Sequence, residues 1–99
     1  MRKTVIDRIL EEDLGALREE SLVRREVFKK EYQEKIACLN KQVARNLLAN
    51  PKNFREIVRK HLEQADAAQA ELIRKVEEEE EFFNQQRAEL YLHYGLPLI

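Results

Sequence analysis

Two histidines, one cysteine, five consecutive glutamates and a knot of four basic residues are the places where this sequence could hold chemistry. His61 follows Val58 by three residues and His93 follows Leu90 by three. Neither therefore completes the Glu-x-x-His spacing with which helical bundles hold paired metal ions. A metal needs three or four converging ligands, and each histidine stands alone, so both read as structural and no metal ligand is assigned. Cys38 is the only cysteine, which excludes an internal disulfide and a thiolate cluster. It reads as a small apolar residue in a reducing compartment. No glycine-rich phosphate loop, nucleophile elbow or triad spacing occurs, so the sequence assigns no catalytic residue and no cofactor.

The run Glu77 to Glu81 could attract cations or a basic partner. Blocks of like charge are more often solvated surface, and a calcium site also needs loop carbonyls and a turn. Helical spacing sends Glu79 alone inward and leaves the other four on outer faces. Arg24, Arg25, Lys29 and Lys30 form the densest basic cluster. Glu20, Glu26 and Glu31 stand four residues ahead of Arg24, Lys30 and Lys35, the favoured order for pairs along one helix. Phosphate contacts need unpaired cations, so nucleic acid is not the expected partner.

The elements that must carry these residues follow from composition. The chain has 99 residues, 43% hydrophobic and 37% charged, with two glycines and two prolines. A sheet fold needs turn chemistry every ~8 to 12 residues, and here it occurs only near positions 50 and 95. The reading is all-α, one domain over residues 1–99. Residues 1–50 carry 11 Lys+Arg against 9 Asp+Glu and residues 51–99 carry 7 against 10, so the halves are +2 and −3. That balance suits two helices lying side by side and lacks the concentrated basic surface of a nucleic-acid binder. Asp7, Glu11, Glu12 and Asp13 interrupt the N-terminal segment, unlike a signal peptide or a presequence. Nowhere do ~18 apolar residues run together, so no membrane span and a cytoplasmic location are expected.

Helix one is expected over about residues 4–49, starting at Thr4 as N-cap. Ile6, Leu10, Leu14, Leu17, Ser21, Arg25, Phe28, Tyr32, Ile36, Leu39, Val43 and Leu47 follow at steps of four, four and three, an eleven-residue repeat close to the helix's own period. Gly15 inside it costs ~1 kcal/mol relative to alanine, too little to break so periodic a helix. Pro51 pushes Asn50 out of helical geometry and supplies no amide, which places a turn at 50–53. Asn53, with Glu56 three residues on, is the expected cap of helix two, about 54–94. Phe54, Val58, Leu62, Ala65, Gln69, Leu72, Val76, Glu79, Phe83, Gln86 and Leu90 keep four-three spacing from Val58 onward, a coiled-coil seam. Gly95 is a C-cap candidate, and the tail 95–99 is expected to fold onto the open end. So short a connection makes a long antiparallel helical hairpin, a coiled coil.

A second apolar stripe is left over. Val5, Ile9, Val23 and Val27, with Ala16 between, lie beside the first seam, and Ile57, Ile73, Phe82 and Tyr91 lie just off the second. An exposed patch of that kind marks a partner surface, and the simplest partner is a second copy, giving a homodimeric four-helix bundle. The functional expectation is a non-catalytic assembly, adaptor or scaffold protein that also binds other proteins through its helix faces. A small exported or appendage-forming hairpin is one rival, although the Trp-x-Gly turn of such hairpins is absent. A helical bundle regulating nucleic acid is the other. With the turn near Pro51, residue n faces roughly 102 − n. Arg25 and Glu79, the charged interruptions of the two seams, then fall at one level and form a candidate register pair.

Overall fold

The structure, a computed structural model, describes residues 5–95. It consists of α1 (Val5–Ala49), a 3-10 turn (Pro51–Asn53) and α2 (Phe54–His93), with no strand among the described residues. The fold is an all-α helical hairpin. Thr4 and the tail from Leu96 to Ile99, to which a cap and a docking role were assigned, lie outside the described residues.

The break between the helices arises as proline chemistry dictates. Asn50 has φ −137° and ψ 69°, off the helical region, while its amide still closes on the Asn46 carbonyl at 2.9 Å. The Asn53 amide donates to the Asn50 carbonyl at 3.1 Å, and α2 starts at the next residue. Glu56, expected to help cap α2, instead accepts from Arg59 at 2.7 Å, and Arg59 also reaches Glu63 at 3.1 Å. At the far end Gly95 takes φ +67°, and its amide donates to the Leu92 carbonyl at 3.0 Å. A left-handed residue with a backward hydrogen bond is the termination that glycine favours. α1 runs through Gly15 without interruption.

Eleven of the twelve seam residues expected in α1 are buried or half-buried, and Ile6 alone is exposed. In α2 the shielded positions differ from a heptad. Leu62 and Gln69 are exposed, whereas His61 is half-buried and Ala68, at 3% exposure, is the most buried residue of the core. Beside the turn the shielded set Ile57, His61, Ala65, Ala68 and Leu72 advances by four, four and three, with Val58 half-buried next to it, whereas Leu72, Val76, Glu79, Phe83, Gln86 and Leu90 are all shielded at the expected four-three spacing. The physical reason is that a strict heptad drifts ~20° per repeat on a straight helix, so it must supercoil to keep its stripe inward. The eleven-residue step drifts little; α1 keeps it throughout, and α2 keeps it from Ile57 to Leu72.

The chain divides into two compact units, one of Met1–Glu26 with Val76–Ile99 and one of Val27–Lys75. The turn-proximal unit is laced across its two helices by Lys75 to Glu31 at 3.2 Å and Lys35 to Glu71 at 3.4 Å. These pairs replace the Glu31–Lys35 pairing along α1 that spacing suggested. In the open-end unit the Tyr94 hydroxyl donates to Asp13 Oδ2 at 2.6 Å and Arg24 bonds Glu79.

Candidate interaction surface

The open-end unit holds the only two buried polar or charged residues among those described, Ser21 and Glu79. Glu79 is 6% exposed, and its Oε2 accepts from Arg24 Nε at 2.8 Å. Arg24 also lies over the Phe82 ring, 5.0 Å from its centroid, and approaches Glu20 at 4.0 Å. The level of the predicted register pair is therefore occupied by an ion pair, but its cation is Arg24. Arg25 is half-buried, and its Nε is shielded from water without a hydrogen-bond partner, as is the second carboxylate oxygen of Glu79. One helical residue turns the side chain by ~100°, so Arg24 and Arg25 flank the seam on opposite sides. The sequence signal for Arg24 was present: it stands three residues after Ser21, one edge of the same stripe, where a long guanidinium can reach inward from a partly wet position.

On the Arg25 side, Arg18, Ser21, Leu22, Arg25 and Phe83 line an open cleft of about 250 Å³. Of the run Glu77 to Glu81, Glu79 alone is buried and the other four are exposed, as helical spacing required.

In the turn-proximal unit, Lys75 bridges Glu31 and Glu71 and sits 5.7 Å from the centre of the Phe28 ring. The carboxyl of Glu71 is held below its ordinary range, first by the hydrogen bond from Lys35 and then by the charges of Lys35 and Lys75. His61 faces a groove of about 280 Å³ beside the turn, and its Nδ1 is buried without a partner. His93 meets the Tyr94 ring edge-on at 5.1 Å in the open-end unit. Among the described residues no three His, Cys, Asp or Glu side chains converge as a metal site would require. Cys38 is exposed rather than an interior packing residue.

Of the eight residues assigned to a partner surface, Val5, Ile9, Val23, Val27, Ile73 and Phe82 are exposed, and Ile57 and Tyr91 are half-buried. Ile57 belongs to the eleven-residue series of α2, which explains its partial cover. Phe82 and Tyr91 are nine residues apart, half a turn on α2, so they occupy opposite flanks of that helix. No helix among the described residues is long and apolar enough to cross a membrane. Comparison with protein families, with characterised proteins and with solved structures finds no match for this chain.

Proposed function

We propose that the chain is a non-catalytic assembly protein, an adaptor or scaffold that works by self-association of its helix faces into a four-helix bundle. One observation carries the reading. Among the described residues twelve large hydrophobic side chains are exposed, and apolar surface of that extent marks a partner surface.

The side chains tell the same story. Among the described residues no large side chain is fully buried, and only Leu10, Leu14, Leu39 and Ala68 form buried apolar core. So thin a core contributes little against the conformational entropy of ordering the chain. A second copy covers Val5, Ile9, Val23 and Phe82 in the open-end unit and Val27 and Ile73 in the turn-proximal unit. Sedimentation equilibrium at micromolar concentration tests this: a dimeric or larger mass is expected, and a monomeric mass with full helicity overturns it.

A further inference from the structure

The open-end unit contains both halves of an interaction that it does not make with itself. Arg18 and Arg25 have no ion pair among the described residues, and the Nε of Arg25 is buried without a hydrogen-bond partner. They are seven residues apart, two turns on one face of α1, and flank Ser21 and Leu22 above Phe83. Arg24, one residue away, is by contrast fully engaged with Glu79, Phe82 and Glu20. On α2 of the same unit, Glu77, Glu80 and Glu81 are exposed carboxylates with no ion pair among the described residues.

We infer that the cleft formed by Arg18, Arg25, Leu22 and Phe83 receives the glutamate run of a second copy. The inference rests on the self-association proposed above and says which groups orient it. A planar guanidinium whose Nε lacks a partner inside the hairpin, as that of Arg25 does, is satisfied best by a carboxylate that approaches from outside it. In a two-fold dimer each such contact is made twice, because the surface that offers the cleft also offers the acids. Leu22, 60% exposed, loses its water in the same step. A phosphate chain is the weaker occupant, since the exposed glutamates of the same unit repel a polyanion. Paired charges of this kind fix orientation and partner choice more than they add affinity.

A charge exchange decides the matter. Arg18→Glu with Arg25→Glu should raise the dimer dissociation constant by about tenfold or more, and Glu77→Lys with Glu80→Lys and Glu81→Lys should do the same. Mixed in equal amounts, the two variants should form a heterodimer within about threefold of the parent's affinity, because one contact is then the parent's own and the other is restored with its charges exchanged. Arg18→Gln with Arg25→Gln, which adds no repulsion, should flatten the salt dependence of association between about 50 and 500 mM NaCl. A first variant that dimerises as tightly as the parent overturns the cleft assignment while leaving self-association intact, and so does a mixture that gains nothing. A gel shift with duplex DNA that depends on Arg18 and Arg25 and leaves the dimer unchanged also overturns it. A parent that is monomeric throughout removes both readings together.

Discussion

Removing Arg24 should cost far more than removing the glutamate it serves. Glu79 is 6% exposed, one of its oxygens accepts from Arg24, and the other has no partner. Arg24→Met keeps the aliphatic stem but strands a buried carboxylate with neither oxygen bonded. Breaking a fully buried pair this way costs ~3 to 5 kcal/mol. The Arg24 side chain is 36% exposed, so water already reaches the pair and about half that figure applies, ~2 kcal/mol. Loss of the cation over Phe82 adds about 0.5 kcal/mol. Glu79→Leu behaves oppositely. It removes the desolvated charge, leaves Arg24 free to turn to Glu20 and water, and sets a leucine beside the buried Ser21, so it should be neutral or stabilise by up to ~1 kcal/mol. Urea unfolding followed by circular dichroism at one fixed protein concentration reads this directly. With a slope of about 1.5 kcal/mol per molar urea for a chain of this size, Arg24→Met should lower the midpoint by about 1.7 M. The double variant should unfold within about 0.4 M of Glu79→Leu alone. A midpoint for Arg24→Met within about 0.3 M of the parent refutes the reasoning, as does a Glu79→Leu variant that falls as far as Arg24→Met.

Further tests separate the remaining claims. Ala68→Gln should destabilise by about 2 kcal/mol because it forces a polar amide into the most buried position of the seam, while the neighbouring Gln69→Ala should cost under about 0.5 kcal/mol; equal costs would restore the heptad reading of α2 beside the turn. Because the Glu71 carboxyl titrates below its ordinary value, its contribution is complete above the unfolded value of about 4.5 and fades as pH falls through the folded one. Glu71→Gln should therefore shallow the acid limb of a stability profile between neutral pH and about pH 3, and an unchanged limb would disprove the contribution. The Tyr94 phenol is raised, first by its hydrogen bond to Asp13, so its contribution is present below the ordinary value of 10.0 and is lost as pH climbs through the folded value. Absorbance titration should show the Tyr94 ionisation move down in Asp13→Asn; no movement would sever the link.

The hairpin was legible because its signals are local and mutually consistent. Pro51 can act on the backbone in only one way, Gly95 supplies the left-handed terminus, and the α1 stripe from Leu10 to Leu47 is long enough that one misfit such as Gly15 cannot disguise its period. The seam of α2 was harder to read. Leu62 and His61 are adjacent, and hydrophobicity alone votes for leucine, as it votes against Ala68 in favour of no one. What decides beside the turn is geometry: α2 there follows the eleven-residue step of α1, which puts His61 and Ala68 inward in place of Leu62 and Gln69, before the four-three spacing resumes from Leu72 to Leu90. The partner of Glu79 escaped for a related reason. A repeat assigns one residue to a seam position, yet a charge reaches a buried layer most cheaply from the edge, with its stem covered and its head partly wet. Arg24 satisfies that condition inside the hairpin. Arg25, turned ~100° away, is left half-buried with an unbonded Nε at the cleft where the proposed contact with a second copy would be made.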